Sequence, residues 1–490
     1  MVVAYPILTC DAAGKLEAAL FGGDEAREWP AMQQAGRAVA DAVLDDFKEL
    51  GGFPRAGRVL VLAGKGHNGG DALLAAKRIV ETYPEARIDL ILVFGAKALR
   101  PLALRAWRDL AQAAPERVDW VRKPASQGYD LVLDGVFGFQ FRPPLDARVA
   151  GLLTVVNALP IRLRAAVDLP SGGDEAGAFL ADFTYATGVV KTPVLSLRNA
   201  GRLRYLDLGF WRHGDGAFAS SPERVLVSGT LDPLRGLRPP HSDKRTYGHL
   251  FVVGGSRNYP GAVLMSVLAA LRSGVGLVTA FVPESLVTTF AARAPEAMWV
   301  GWPETPGGGL ALEGSHLLHE RIARASALLV GPGLGREPET LVLAKDLVAS
   351  VSVPLMLDAD ALQPDIVTAG HAPRILTPHA GELARIEGKT TADSVIVRKG
   401  PVTRIDHGGI SYHSFFGGPV LARGGSGDVL AGLIGGLLAQ TPADPLGAAC
   451  RGVMWHGQAA DALARSQGPV AVQTTQLLDH LAAVLRKAPA

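Results

Sequence analysis

The chain has 490 residues, enough for two or more domains of the usual ~100–200 residues. Apolar residues make up 48% and charged residues 20%, an ordinary globular balance, and a formal net charge of +2 gives no electrostatic case for nucleic acid or an anionic membrane as partner. Two cysteines, Cys10 and Cys450, exclude a disulfide framework and any CxxC metal pattern, which suits a reducing, cytoplasmic setting.

Met1 to Cys10 has neither the basic start nor the long apolar stretch of a secretory signal. Trp29–Lys48 reads as an amphipathic helix with small residues on one face. Strands are then predicted at Arg58–Ala63, Ile88–Phe94, Leu131–Asp134 and Ala165–Asp168, with helices between them at Asp71–Glu81 and Leu102–Ala113. Each strand is a continuous apolar run, as expected where both faces of a parallel sheet are covered. The alternation predicts a doubly wound, Rossmann-like α/β domain over residues 1–215. The segment His213 to Ser242 is rich in Gly, Pro, Ser and charge, and a linker is placed at 216–240. Alternation resumes over 241–490. Strands fall at His249–Val253, Leu277–Phe281, Ala327–Val330, Pro354–Leu357 and Ser394–Val397, with a helix at Gly261–Ser273. The most apolar helix, Val429–Ala439, holds three glycines and is too short to span a membrane.

Glycine-rich turns follow several of these strands. Gly64-Lys65-Gly66-His67-Asn68-Gly69 fits GxGxxG and opens a helix, a position where free N–H groups attract phosphate. A dinucleotide cofactor would also call for an acid after the next strand. Glu85 and Asp89 fall before or inside that strand, so classical NAD binding is disfavoured. Asp134 and Asp168 likewise end strands before glycine turns. Each alone reads as a turn cap; together with Asn68 and Ser171 they face one crevice and suit a hard cation.

The stretches Gly66-His67-Asn68-Gly69-Gly70-Asp71, Asp134-Gly135-Val136-Phe137-Gly138 and Val167-Asp168-Leu169-Pro170-Ser171-Gly172 look like the signatures of the NAD(P)H-hydrate epimerase (YjeF N-terminal) family over roughly residues 20–210. Met32-Gln33-Gln34-Ala35-Gly36 resembles its N-terminal helix motif. The resemblance implies a hydrated NAD(P)H substrate contacted by His67, Asn68, Gly69, Gly70 and Asp71, by Asp168, and by Gly138–Pro144, including Gly138, Phe139, Gln140, Phe141 and Arg142. It implies potassium on Asn68, Asp134 and Ser171. His67 stands where Asn is usual, Ala72 where Gly is usual and Gln33 where Glu is usual. Asp168 is the candidate catalytic proton shuttle.

In the second half, Ala422-Arg423-Gly424-Gly425-Ser426-Gly427-Asp428 leads into the apolar helix. Glycines at a helix start can hold a developing phosphate anion, and Asp428 is placed to take a proton from an attacking hydroxyl. With Val253-Gly254-Gly255-Ser256, Gly331-Pro332-Gly333-Leu334-Gly335, Asp358-Ala359-Asp360-Ala361-Leu362 and Thr377-Pro378-His379-Ala380-Gly381-Glu382, the set resembles the ribokinase-like NAD(P)H-hydrate dehydratase family over roughly 240–490. The resemblance implies substrate contacts at Ala262, Gly333, His379 and Asp428. It also implies nucleotide contacts at Lys399, Gly400, Gly425, Ser426 and Gly427, with Mg2+ accompanying ADP or ATP. Arg398 and Pro401 replace the usual Leu and Ala beside Lys399.

The reading is a bifunctional repair enzyme that interconverts the two NAD(P)H-hydrate epimers and dehydrates the S form at the expense of ADP or ATP. Its rival is a ribokinase-like kinase of a vitamin precursor whose first domain is a non-catalytic nucleotide-binding module. The choice between NADH and NADPH hydrates and homo-oligomerisation stay open in the sequence.

Overall fold

A computed structural model of the chain describes residues 2–212, 214, 216–391 and 393–486. Met1, where the N-terminal reading begins, His213 and Asp215, which bound the expected linker, and residues 487–490 of the second domain lie outside the described residues, as does Ala392. The chain divides into two compact units. One comprises Tyr5–Val225 with Ala464–Gly468; the other comprises Leu226–Leu463 with the terminal segments. The division between Val225 and Leu226 falls inside the segment read as a linker. That segment has little composition to bury, but its few apolar residues are used: Leu226 and Leu231 enter the core of the second unit, and Phe218 packs on Trp211 in the first.

The first unit holds a seven-stranded, all-parallel sheet. Across it run Val118–Trp120, Arg87–Leu92, Arg58–Ala63, Tyr129–Gly135, Ile161–Val167, Phe183–Thr187 and Arg202–Leu206. Both faces are covered. Val59 and Val61 point into one apolar cluster with helices Glu25–Phe47 and His67–Thr82; Leu60 and Leu62 point into another with helix Ala147–Asn157. A strand that alternates between two dry faces has no polar positions to spare, which is why it reads as an unbroken apolar run. Strand order reverses between Arg58–Ala63 and Tyr129–Gly135, and a crevice opens beyond their carboxyl ends.

The second unit repeats the principle with a different order. Seven parallel strands run Met298–Trp302, Leu277–Pro283, His249–Val253, Ala327–Val330, Leu355–Leu357, Arg374–Leu376 and Val395–Arg398. An antiparallel pair, Thr403–His407 and Ile410–Ser414, extends the last edge. Reversal falls between His249–Val253 and Ala327–Val330. Among the described residues, no helix is long and apolar enough to cross a membrane.

Candidate functional site

In the first unit, the loop after Arg58–Ala63 and the turn after Tyr129–Gly135 interlock: Gly64 N–H donates to the Gly135 carbonyl at 3.0 Å. Helix His67–Thr82 begins at Gly66 without a side-chain cap. Gly66, His67, Asn68 and Asp71 line a cavity of about 400 Å³ together with Gly138, Phe139, Gln140, Phe141, Arg142, Asp168 and Lys191. Gly69 and Gly70 are buried beneath it instead. A Cβ at Gly69 would meet the Gly64 carbonyl, and one at Gly70 would stand 2.6 Å from Met32 Sδ. Ala72 also faces inward, since a Cβ on Gly135 would lie 2.6 Å from the Ala72 Cβ. The methyl group at this position therefore does not obstruct the loop. His67 points the other way and pairs with Glu28 at 3.2 Å.

Asp168 sits at φ +65°, a left-handed conformation that costs a non-glycine residue about 1–3 kcal/mol. The turn is held by Asp168 N–H donating to Tyr185 O at 2.8 Å. Its carboxylate accepts from Lys191 Nζ at 2.6 Å and from Phe139 N–H at 3.3 Å. Asp168 and Lys191 are both buried. Gly138 keeps the space between the groups open: a Cβ there would stand 3.3 Å from Asp168 Oδ2 and 3.4 Å from Asn68 Oδ1. Arg142 ties the rim by donating to the Phe139 and Phe141 carbonyls.

The three expected cation donors are linked through the Phe137 backbone and the Ser171 hydroxyl. Asp134 is fully buried and accepts from Ser171 Oγ at 2.7 Å, Ser171 N–H at 2.8 Å and Val136 N–H at 3.2 Å. Ser171 Oγ accepts from Phe137 N–H, and Asn68 Nδ2 donates to Phe137 O. Burial pushes the Asp134 carboxyl up to about 6 despite these donors. The set is all oxygen, with one carboxylate, one hydroxyl and one amide, and this fits a monovalent hard cation better than a transition metal.

Two further groups enter this cavity that sequence reasoning does not single out, Lys191 and Glu17. Lys191 follows a strand, Phe183–Thr187, that the sequence pattern does not predict, and Glu17 lies on an equally unpredicted helix, Cys10–Phe21. Burial raises Asp71 well above the usual carboxylate range, with Asp168 and Glu17 adding to it.

In the second unit, the loops Gly254–Ser256 and Gly331–Gly335 interlock through Gly255 N–H to Pro332 O and Ser256 Oγ to Gly333 O, both 2.8 Å. Gly333, at φ +67°, would bring a Cβ to 3.1 Å from Ala262 Cβ, so the two expected substrate contacts are neighbours. Asp428 lies in the first turn of helix Ser426–Gln440. Gly425 caps that helix at φ +90°, and Gly424 borders open space, with nothing within 4 Å of where a Cβ would stand. Ser426 Oγ donates to Leu421 O.

Lys399 is not a solvated strand-end cation. Its Nζ bonds Asp358 Oδ1 at 3.0 Å and lies 3.8 Å from Glu382. A Cβ at Gly427 would stand 3.2 Å from it, so the ammonium lies against the glycine turn. Gly400 and Pro401 form the exposed hairpin turn beyond it, and Arg398 pairs with Asp406 of the next strand. His379 caps helix Ala380–Ile386: Nδ1 accepts from Gly381 N–H at 3.0 Å, which leaves the proton on Nε2, facing Glu382 at 3.3 Å. Burial pushes Asp428 up to about 7, with Asp358, Asp360 and Glu382 raising it further and Lys399 opposing. One ammonium thus lies among several carboxylates.

The comparisons agree with this division. A family described as NAD(P)H-hydrate dehydratase matches residues 250–483, and one described as YjeF-related protein N-terminus matches 30–192. The bifunctional NAD(P)H-hydrate repair enzyme of Moorella thermoacetica is 33% identical, covering 93% of this chain and 92% of the relative. That of Gloeobacter violaceus is 37% identical, with 92% of each covered. A solved ADP/ATP-dependent NAD(P)H-hydrate dehydratase from Bacillus subtilis, co-crystallised with ATP and Mg2+, aligns at 29% identity over 52% of this chain and 96% of that one, with a TM-score of 0.44. Similarity over nearly the full length of both partners places the chain in the family of bifunctional NAD(P)H-hydrate repair enzymes.

Proposed function

We propose that the first unit interconverts the R and S hydrates of NAD(P)H and that the second returns the S hydrate to NAD(P)H while consuming ADP or ATP. The observation that carries this reading is the pair of carboxylate–lysine centres, Asp168–Lys191 and Asp358–Lys399, each at the strand ends of its own parallel sheet.

In the first cavity the substrate carries a hydroxyl beside the ring nitrogen. As the C–O bond breaks, the nitrogen lone pair stabilises the cation, and water returning to the other face inverts the centre. Asp168 moves the proton, and the buried Lys191 ammonium holds its carboxylate in place. The helix start at Gly66–Asn68 receives the pyrophosphate. Asn68, Asp134 and Ser171 would hold potassium, which supplies positive charge beside that anion.

In the second site water is a poor leaving group, so the hydroxyl is phosphorylated first. Asp428 accepts its proton as the oxygen attacks phosphorus, and Gly424–Gly427 N–H groups face the transferred phosphoryl group. Phosphate then leaves, pushed by the ring nitrogen, as the neighbouring ring carbon gives up a proton. Asp360 and Glu382 would hold Mg2+, which would neutralise nucleotide phosphate charge. The free cysteines suit a cytoplasmic setting.

Incubating the chain with a mixture of both hydrates and labelled ADP or ATP tests the reading. Regenerated dihydronicotinamide with free phosphate is expected; a stable phosphorylated product would instead identify a kinase. Replacing K+ by choline should lower the epimerisation rate and the melting temperature, and Asp134→Asn should abolish that ion dependence.

A further inference from the structure

The first cavity contains more carboxyl groups than the Asp168 chemistry uses. Glu17 lines the chamber that holds Asp168 and Lys191, and it also lines an adjoining chamber bounded by Glu28, Met32 and Phe210. It enters from helix Cys10–Phe21, whereas Asp168 enters from the end of strand Ile161–Val167. Helix and rim are in register, since a Cβ on Gly14 would stand 3.7 Å from the Phe139 ring. Asp168 is fixed by its strained backbone, by Lys191 and by Phe139 N–H. A carboxylate fixed on one wall serves one face of a ring, but inversion through a planar cation requires proton exchange on both.

We propose that Glu17 is the second acid–base residue of this cavity, acting on the face of the substrate ring opposite Asp168. The proposal rests on the epimerase reading. In one direction the Glu17 carboxylic acid protonates the hydroxyl, the C–O bond breaks, and the nitrogen lone pair forms a C=N bond as water leaves. A second water adds to the far face, the C=N electron pair returns to nitrogen, and the surplus proton passes to the Asp168 carboxylate. The opposite direction begins with the proton on Asp168. Exchange with solvent resets the pair.

The surroundings suit this role. Lys191 is committed to Asp168, and Glu17 shares the two chambers with Asp71, Glu28, His67, Lys65, Arg100, Arg142 and Asp146. Burial pushes Glu17 up to about 7, with Lys191 opposing and Asp168 and Glu28 adding. It can therefore carry or release a proton near neutrality.

The full chain with Glu17→Gln should epimerise each purified hydrate with kcat lowered about 10²–10⁴-fold. KM should be nearly unchanged and the pH limb near neutrality lost. Glu17→Asp should recover part of kcat with a displaced limb, while Lys15→Gln, on the same helix, should match wild type. A Glu17→Gln variant that keeps kcat within about threefold, or loses rate with the limb intact, would overturn the proposal. An inactive wild-type chain would overturn the epimerase reading with it; an active wild type with an active Glu17→Gln would remove the Glu17 role alone.

Discussion

Asp428 shows how a buried carboxylate loads the fold. Its pKa is raised from about 3.8 in the unfolded chain to about 7 in the native one, so the native state binds more protons between those values. The resulting stability is fully present below about pH 4 and is lost as pH rises through about 7. Asp428→Asn should therefore melt close to wild type below about pH 4 and progressively higher than wild type as the pH rises from about 4 to about 7, with a constant difference above that. The same variant should lose nucleotide-dependent dehydration. In the wild type that rate should rise with pH through about 7, because the base must be ionised. Melting curves and rates across one pH series read both effects. Lys191 makes the converse case. Lys191→Met strands the Asp168 charge in a buried site, which costs about 3–5 kcal/mol, and epimerisation should fall with stability, as thermal melts and hydrate assays would show. Asp134, Asp168 and Asp428 are legible in the sequence because each carboxylate borders a glycine turn at the end or start of an apolar run. Their partners Lys191 and Lys399 acquire meaning only when distant strands come together. Lys399 is marked in the sequence only by resemblance to a motif, and its bonds to Asp358 and Glu382 span 41 and 17 positions that local pattern does not connect.

At the scale of elements, the glycines of helix Ser426–Gln440 explain how so apolar a helix is seated. A Cβ at Gly432 would run into the Ser266 carbonyl, and one at Gly436 into Ser273 Oγ, so the helix lies backbone-close to Pro260–Arg272. Ser266 Oγ donates to the Asp428 carbonyl at 2.9 Å, which carries that close packing to the first turn of the helix. Gly432→Ala should destabilise the unit by about 1–3 kcal/mol through overpacking. Gly261→Ala meets open space and should leave the melting temperature unchanged or raise it slightly. Strands Arg58–Ala63 and His249–Val253 are predictable to the residue because both of their faces are dry. Phe183–Thr187 and Arg202–Leu206 escape prediction. Thr184, Thr187 and Arg204 interrupt their apolar runs, and these polar groups are buried by tertiary partners. Helix Cys10–Phe21 is hidden for a related reason: only Ala13 is buried on it, so no apolar stripe marks it and nothing draws attention to Glu17.

Across the whole molecule, the two centres are built on separate sheets in separate units, and in each a lysine is ion-paired to an aspartate at a strand end. One site sets which epimer is present and the other removes one of them, so their failures should be separable in a single assay. With Asp168→Asn, a mixture of R and S hydrates supplied with nucleotide should lose S at the wild-type rate and retain R, giving a rapid partial recovery of dihydronicotinamide followed by a slow phase set by uncatalysed epimerisation. With Asp428→Asn, recovery should be absent while purified R still relaxes to the mixture. Chromatography of the epimers over time distinguishes the two. If Asp168→Asn consumed both epimers at equal rates, the second site would accept either configuration and the division of labour between the units would fall.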